Sequence, residues 1–356
     1  MTMTRKEFLA SAAGAVGAAV MPAAAGSAAA AAAKPKSRLK LGVSTYSYNG
    51  DLMRGCMTLE DVMADMHDLG AEGIELISEG LIPDYPNPPE SWVKQWFDLL
   101  DRYELKPNAF DCFVDVRVYL DRRLTVDELV DQVMRDLKLA YRLGFKVYRG
   151  MGNSWGTMFG PPGSIWDTSD INQFTVEEKC LAYAEKVDIK LCGEIHQPAK
   201  LKSPWIDQVL EFIEKHKTKH FGFVPDFGIF QTRSRTGAKS EAAPKTAKQD
   251  PVQEQIMQRA AGMGRSATGQ LQSGPEDPKD LIPLLPYIYS THAKFWDMTE
   301  NLEEASIPYE NIIPVLAQNG YDGYINSEYE GSREIGMAAM QLRRQHCMIR
   351  KLWAGA

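Results

Sequence analysis

A glutamate and a histidine two residues apart stand at the end of a short apolar run, in the stretch L-C-G-E-I-H-Q-P from Leu191 to Pro198. Side chains at positions i and i+2 of a strand lie on the same face, so Glu194 and His196 would point into one cavity. A carboxylate beside an imidazole can bind a divalent cation or transfer a proton. The pair could equally be two hydrogen-bonded residues at a strand end, and its context decides between these interpretations.

Other apolar runs also carry a titratable residue at or near their C-terminal end, namely Glu75, Asp226, His292, Lys294 and Glu328. Glu194, Asp226, His292 and Glu328 are separated by 32, 66 and 36 residues. A strand–helix unit takes roughly 35 to 40 residues, so these four could lie on consecutive strands with an insert in the longest interval. Three carboxylates and one imidazole within reach of water suit Mn²⁺, Mg²⁺ or Co²⁺ better than a structural zinc ion. Any one of them alone could instead be a hydrogen-bonded polar residue.

Short apolar runs alternate with helical patterns from Leu39 onward, which is typical of strand–helix units around a parallel sheet. The strand candidates are residues 39–46, 73–77, 106–110, 145–150, 188–194, 221–226, 287–294 and 323–328. Eight such units predict an α/β fold, a (β/α)₈ barrel, which typically takes about 250 residues. Catalytic residues of such a barrel lie at the C-terminal ends of its strands, so the polar residues above would share one mouth.

Several helices between the strands carry local start signals. Thr125 with Glu128, and Thr175 with Glu178, have the spacing of a capping box, in which each side chain satisfies a free backbone N–H. The stripe of Leu129, Val133, Leu137 and Ala140 has the period of a helix face that packs on a core.

Two stretches exceed what the barrel needs. Residues 151–170 follow the fourth strand and are rich in glycine, proline and aromatic residues. We expect Trp155 and Trp166 in this stretch to contact a sugar ring or an aromatic aglycone, although they could simply pack the loop. Residues 232–280 form a polar insert after the sixth strand, and such a long loop is either disordered or in contact with a partner.

The first 33 residues have the composition of an export signal. A short head containing Arg5 and Lys6 precedes a run of alanine, glycine and valine with A-x-A sites up to Ala33. The head resembles a twin-arginine signal in which Lys6 replaces the second arginine, and a Sec signal or a membrane anchor is the alternative. We therefore expect residues 34–356 to be the exported part, periplasmic or extracellular, with no further segment of the roughly 20 apolar residues that span a membrane.

The charge balance argues against nucleic-acid binding, and the cysteine pattern argues against a disulfide framework. The chain carries −7 in total, and −8 without the leader, because Arg5, Lys6 and Glu7 together carry +1. A chain of this sign is a poor nucleic-acid binder. The five cysteines form no C-x-x-C motif, and we expect buried apolar side chains rather than a disulfide framework. The histidines on helices, His67, His216, His220 and His346, are expected at the surface or at helix ends.

Six short motifs in a fixed order give the chain a resemblance to a known superfamily. They are L-G-V-S-T-Y-S, G-A-E-G-I-E-L, G-E-I-H, V-P-D-F-G, S-T-H-A-K-F-W-D and I-N-S-E-Y-E-G. Over residues 39–352 the chain resembles the xylose isomerase-like TIM barrels of the sugar phosphate isomerase/epimerase superfamily, here in an exported form. The resemblance implies one divalent metal, Mn²⁺ in preference to Mg²⁺ or Co²⁺, held by Glu194, Asp226, His292 and Glu328. It also implies that Glu194 and Glu328 act as acid and base.

This chemistry removes a proton next to a carbonyl and forms an enediolate. His196 and Lys294 are candidates for contacts with substrate or with the developing oxyanion, and Glu75 is a further substrate-contact candidate. A salt bridge is the alternative for Lys294, and support of another residue is the alternative for His196.

Two differences from known members of the superfamily narrow the range of reactions that this chain could catalyse. Ketohexose 3-epimerases of the superfamily have a histidine three residues after the metal aspartate and an arginine six after the metal histidine, where this chain has Ile229 and Met298. Its few histidines also distinguish it from the three-zinc AP endonucleases.

Three functions follow. The first is an isomerase or epimerase of an unphosphorylated sugar, because export disfavours phosphosugars. The second is a lyase or hydratase of 3-keto glycosides, including C-glycoside cleavage, with the same metal and glutamates. The third is a sugar-binding or accessory subunit. A partner subunit or a second copy of the chain remains open as the assembly.

Overall fold

Eight parallel strands run side by side around one axis in the computed structural model, which describes residues 37–78, 80–150, 164–167, 171–197, 199–232 and 275–356. The strands are β1 (Leu41–Ser44), β2 (Gly73–Ile77), β3 (Lys106–Asp111), β4 (Val147–Arg149), β5 (Lys190–Ile195), β6 (Phe221–Pro225), β7 (Ser290–Phe295) and β8 (Tyr324–Tyr329). Their hydrogen-bonded order is β6-β5-β4-β3-β2-β1-β8-β7. This arrangement confirms the predicted (β/α)₈ barrel.

The barrel is joined between β6 and β7 by isolated bridges instead of a continuous ladder. Phe223 is bridged to Ile288, and Asp226 is bridged to His292. Closing a parallel sheet requires its strands to tilt and shift in register. The bridge at Asp226 and His292 therefore brings two of the predicted metal ligands onto adjacent positions of the wall.

Helices cover the strands in the described part of the chain. They are α1 (Asn49–Met53), α2 (Leu59–Asp68), α3 (Glu90–Arg102), α4 (Val126–Arg142), α5 (Gln173–Val187), α6 (Pro204–His216), α7 (Tyr309–Gln318) and α8 (Met337–Gly355), with short 3₁₀ helices at Thr45–Tyr48, Phe227–Phe230 and Pro278–Tyr287. The predicted core stripe on α4 is confirmed, since its four residues are at most 3% exposed. Each leucine or valine of the stripe contributes about 1.5–3 kcal/mol by leaving water.

One of the two predicted capping boxes is confirmed and one is wrong. The Thr125 hydroxyl accepts from the Glu128 N–H, and the Glu128 carboxylate accepts from the Thr125 N–H, so α4 begins as predicted. Helix α5 begins earlier than predicted, because the side chain of Asn172 accepts from the N–H of Phe174. Thr175 consequently lies inside the helix.

A polar layer lies inside the barrel and depends on a strand glycine. A Cβ on Gly42 would lie 2.0 Å from Asn326 Oδ1 and 2.5 Å from Asn108 Nδ2. The two amides meet there, and Asn108 Nδ2 donates to Asn326 Oδ1 over 2.7 Å. Glycine at position 42 thus leaves room for a pair of buried amides beside β1.

The predicted burial of the cysteines is correct for three of them and wrong for two. Cys112, Cys180 and Cys192 are buried, whereas Cys56 and Cys347 are exposed. Cys56 lies in the turn after α1, and Cys347 lies on the outward face of α8, between buried neighbours that face the strands.

The predicted leader and most of the predicted polar insert lie outside the described residues. The structure describes only residue 232 and residues 275–280 of the insert, and none of residues 1–33. Within the described ranges, no helix is long and apolar enough to cross a membrane.

His346 is fully buried, which corrects the surface position expected for it. Its Nε2 lies 3.0 Å from Ser327 Oγ, and burial, assisted by Arg350, lowers its pKa from 6.5 to about 3. Between about pH 6.5 and 3 the unfolded chain therefore binds a proton that the folded chain does not. We expect this residue alone to lower the free energy of unfolding by up to about 1.4 kcal/mol per pH unit as the pH falls through that window.

Urea unfolding between pH 7.5 and pH 5 tests this expectation in the parent chain and in His346→Gln. The variant should lose stability less steeply on acidification, whatever its stability at neutral pH. Equal slopes in the two proteins would show that His346 does not titrate as described.

Candidate metal centre at the mouth of the barrel

The four predicted metal ligands converge at one point of the barrel. Each offers a ligand atom, and these atoms all lie within 4.8 Å of one another. Glu194 comes from β5, Asp226 follows β6, His292 is in β7 and Glu328 is in β8. All four are at most 6% exposed. The structure thus brings together on neighbouring strands the set that the spacing predicted.

The turn after β6 orients Asp226. Its Oδ1 accepts from the N–H of Gly228 over 2.6 Å, which starts the 3₁₀ helix that follows. Its Oδ2 lies 2.7 Å from Lys294 Nζ. A Cβ on Gly228 would approach Asp226 Oδ1 to 2.7 Å, so the glycine of V-P-D-F-G leaves room for this carboxylate.

The imidazole of His292 lies between carboxylates on two sides. Nδ1 is 2.8 Å from Glu194 Oε1 and 3.7 Å from Glu328 Oε2. Nε2 is 3.2 Å from Glu75 Oε2. The sequence predicted a substrate contact for Glu75, and the structure places this fully buried carboxylate on the far side of the imidazole from Glu194.

Lys294 and His196 form a second polar pair beside the ligands. Lys294 Nζ lies 2.7 Å from His196 Nε2 as well as from Asp226, so the salt bridge named as the alternative for Lys294 is present, and its contact with substrate stays a prediction. His196 Nδ1 lies 2.8 Å from the carbonyl oxygen of Gln197. If Nδ1–H donates to this carbonyl, the lone pair of the ring is on Nε2, which can accept from the ammonium. The side chain of His196 is 18% exposed, against 4% for Lys294, so the imidazole is the member that faces the mouth.

Asp111 and Arg149 belong to the same buried cluster, although neither was predicted from the sequence as a site residue. Their side chains form an ion pair at the ends of β3 and β4, and Arg149 Nη1 lies 3.8 Å from Glu194 Oε2. Burial raises the pKa of Asp111 to about 7 against the effect of Arg149. The strand-end rule that selected Glu194 would have found both residues if it had been applied to the third and fourth strands.

Burial and neighbouring charges shift the pKa values of Glu194 and Glu328 in opposite directions. Burial opposes ionisation of Glu194, but Arg149 and His292 outweigh it and hold the pKa of Glu194 well below its usual range. Burial raises the pKa of Glu328 well above its usual range, against the effect of His292. Two carboxyl groups whose environments push their pKa values apart are suited to the roles of base and acid.

The charge and the hydrogen bonding of the cluster fit a divalent cation. Its buried carboxylates are Glu75, Asp111, Glu194, Asp226 and Glu328. Among the described residues, the permanent cations paired with them are Arg149 and Lys294, so five ionised carboxylates would leave an excess of three negative charges. Glu328 Oε2 also has no hydrogen-bond partner in the part of the chain that the structure describes. A hard divalent cation would offset that excess and provide a partner for this oxygen.

Of the two tryptophans predicted to contact substrate, the structure describes only Trp166. Trp155 lies outside the described residues. Trp166 donates from Nε1 to the carbonyl of Tyr119 over 2.7 Å and lies 5.3 Å from the guanidinium of Arg117. It therefore packs on the segment that follows β3, and its contact with substrate stays a prediction.

Comparisons with known proteins agree with this fold and extend over most of the chain. Residues 63–351 match the model of a family described as the xylose isomerase-like TIM barrel. The C-glycoside deglycosidase alpha subunit of Arthrobacter globiformis is 27% identical over 348 residues, which cover 88% of this chain and 92% of that protein. The 3'-dehydrocarminate deglycosidase alpha subunit of a Microbacterium species is 28% identical over 328 residues, which cover 82% and 88%.

A solved structure of D-allulose 3-epimerase from a Methylomonas species has a TM-score of 0.54 with this chain. The match has 13% sequence identity and covers 90% of this chain and 99% of the other. At that identity the similarity extends to the fold and no further.

Proposed function

Because the chain belongs to the xylose isomerase-like TIM barrel family, we propose that it is a sugar-modifying enzyme that cleaves oxidised glycosides with the help of a divalent metal. The substrate class that we propose is the 3-keto glycosides, C-glycosides included. The observation that carries the proposal is the convergence of Glu194, Asp226, His292 and Glu328 within 4.8 Å, with His196 at the mouth beside them.

The relatives support cleavage ahead of epimerisation. The two sequence relatives described above are named deglycosidase alpha subunits, and each match covers more than four fifths of both chains. Ile229 and Met298 are buried at 2% and 3% exposure, at the positions where the ketohexose 3-epimerases have polar side chains. An apolar side chain in those places cannot donate a hydrogen bond to a sugar hydroxyl.

The proposed metal ligands are Glu194, Asp226, His292 and Glu328, with Mn²⁺ as the preferred ion and Mg²⁺ or Co²⁺ as alternatives. A bound divalent cation supplies Lewis acidity, which polarises a substrate carbonyl. Lys294 stays paired with Asp226 and places a positive charge next to the oxygens of the substrate. His196 faces the mouth and orients a substrate hydroxyl.

The two glutamates carry out the proton transfers. Glu194 removes the proton from the carbon next to the carbonyl. The electron pair of that C–H bond is then shared with the carbonyl as an enolate. The bond from the anomeric carbon to the aglycone then breaks as a carbon–carbon double bond forms in the ring. Glu328 returns a proton to the aglycone. The products are the free aglycone and an unsaturated keto sugar, so atoms and charges balance.

A sugar isomerase or epimerase is the second candidate function. The specific observation in its favour is that Glu194 and Glu328 both lie close to His292, on separate strands, as removal and return of a proton on two faces of a carbon would need. A binding or accessory subunit is a weaker third candidate, because both glutamates are in place.

The assembly and the location of the protein are also proposals. The names of the relatives include the words alpha subunit, so we propose that this chain works with a partner subunit, and a homo-oligomer is the alternative. We further propose that residues 1–33 direct export by the twin-arginine route. The remaining domain is the barrel of residues 34–356, with the polar insert at 232–280.

The test of the proposed reaction uses residues 34–356 loaded with Mn²⁺ in D₂O. Substrates would be a 3-keto C-glycoside, a 3-keto O-glycoside and free ketohexoses, followed by NMR. Released aglycone is the expected result. Deuterium next to the carbonyl together with a new epimer would favour the second candidate. Neither release nor exchange, with metal bound, would contradict both enzyme functions for a chain that acts without a partner subunit.

A further inference from the structure

The face of His292 that points away from the predicted ligands is occupied by a buried carboxylate. Nε2 of the imidazole is 3.2 Å from both oxygens of Glu75, while Nδ1 points towards Glu194 and Glu328. His292 and Glu75 are both fully buried. His292 comes from β7 and Glu75 from β2, so the two side chains approach each other across the interior of the barrel.

The tautomer of His292 decides whether it can bind a cation. A neutral imidazole carries one N–H and one lone pair, and only the nitrogen with the lone pair can be a ligand. Because Nδ1 faces the other ligands, the productive tautomer has its proton on Nε2. A carboxylate that accepts from Nε2 favours this tautomer and fixes the plane of the ring.

The carboxylate of Glu75 is itself held in place by a hydrogen bond from a buried amide. Asn326 Nδ2 donates to Glu75 Oε2 over 3.0 Å. The amide of Asn326 cannot turn around, because Asn108 Nδ2 donates to its Oδ1 over 2.7 Å. Space for this chain of amides comes from Gly42 and Gly73, where an added Cβ would lie 2.5 Å from Asn108 Nδ2. Glu75 is therefore fixed as an acceptor.

A second cation site is the alternative use of this carboxylate. Ligand atoms of Glu75, Asp111 and His292 also lie within 4.8 Å of one another. Asp111, however, is in an ion pair with the guanidinium of Arg149, which already provides the positive charge at that place. The remaining group that faces Glu75 from β7 is the Nε2 of His292.

We propose that Glu75 is a positioning residue that holds the proton of His292 on Nε2 and so sets the affinity of the centre for its cation. This inference rests on the metal centre of the proposed function. It assigns to Glu75 a role in place of the substrate contact predicted from the sequence.

The test compares Glu75→Gln with the parent chain in a titration with Mn²⁺ alone, followed by the EPR signal of the free ion. Carboxylates that support a metal-bound histidine affect affinity by about 10–100-fold, so we expect the Kd for Mn²⁺ to rise by that factor. The matched control is Glu177→Gln, since Glu177 is a buried glutamate on α5 that belongs to neither group of candidate ligands. Its Kd should equal that of the parent.

A second readout follows the tautomer directly. In the Mg²⁺-loaded parent chain, long-range ¹H–¹⁵N NMR should show His292 with its proton on Nε2, and Glu75→Gln should show a mixture. Thermal unfolding of the metal-free proteins verifies that the variant folds. If Glu75→Gln does not fold, Asn326→Ser removes the donor that holds Glu75, and its Kd should exceed the parent value.

The outcomes separate this inference from the proposed function. A parent chain that binds no Mn²⁺ would overturn the metal centre itself. A parent chain that binds Mn²⁺ with the same Kd as Glu75→Gln, and the same tautomer, would overturn only the role of Glu75. Two Mn²⁺ ions in the parent and one in the variant would make Glu75 a ligand of a second cation, and would also overturn it.

Discussion

Glu194→Gln is expected to lower kcat for aglycone release by about 10²–10⁴-fold, the usual contribution of a general base. Glutamine keeps the shape of the side chain and one oxygen for the metal, but it cannot take a proton from carbon at neutral pH. The neighbouring Arg149, whose Nη1 lies 3.8 Å from Glu194 Oε2, favours the ionised form of the buried parent carboxylate. The loss should therefore fall on turnover and leave the fold intact.

The measurement is single-turnover kinetics on a 3-keto glycoside, with the metal content of each sample determined at the same time. Glu178→Gln is the control, because Glu178 is an exposed glutamate on α5 that pairs with Lys215. That variant should match the parent. A metal-loaded Glu194→Gln chain with the kcat of the parent would remove Glu194 from the role of base.

His292→Ala is expected to lose most of its bound metal and to remain folded. Removing a residue that merely supports a ligand weakens metal binding by about 10–100-fold, so loss of the ligand itself should raise the Kd by more than 100-fold. The variant also leaves the buried carboxylates of Glu75 and Glu194 without their shared partner. We expect a lower melting temperature in addition to the metal loss.

Elemental analysis after dialysis, together with circular dichroism, measures both effects. His67→Ala is the control, since His67 lies at the surface on α2, and that variant should retain its metal. Unchanged metal content in folded His292→Ala would contradict the site assignment.

The barrel and the four ligands could be predicted from the sequence because the evidence for them is local and repeated. A buried parallel strand is a short apolar run, and the residue at its C-terminal end is at the mouth wherever the strand lies in the chain. The spacing of Glu194, Asp226, His292 and Glu328 then needed only one insert to place them on consecutive strands. The structure brings all four together.

The depth of each residue in the barrel could not be predicted, because it depends on register. Glu75 and Glu194 are the same residue type on strands of similar composition, but the pairing of strands places Glu75 against Nε2 of His292 and Glu194 against Nδ1. The ion pair of Asp111 with Arg149 was missed for a different reason. Its members are at the ends of β3 and β4, outside the run of four consecutive strands on which the ligands were sought.

Helix faces explain the remaining errors. Leu342, Gln345, His346 and Ile349 share one buried face of α8, with the period of a core-facing stripe. That pattern in the sequence would have placed His346 inside and Cys347 outside. The start of α5 was misplaced because Asn172 and Thr175, three positions apart in the chain, are both acceptable caps.

Metal dependence of turnover tests the central claim most directly. The chain would be stripped with a chelator, then titrated with Mn²⁺ while the rate of aglycone release from a 3-keto glycoside is followed. The structure and the proposed ligands predict no turnover in the stripped chain, and a rate that rises in proportion to added metal and levels off at one ion per chain. Full turnover by a chain that elemental analysis shows to hold no metal would contradict the account.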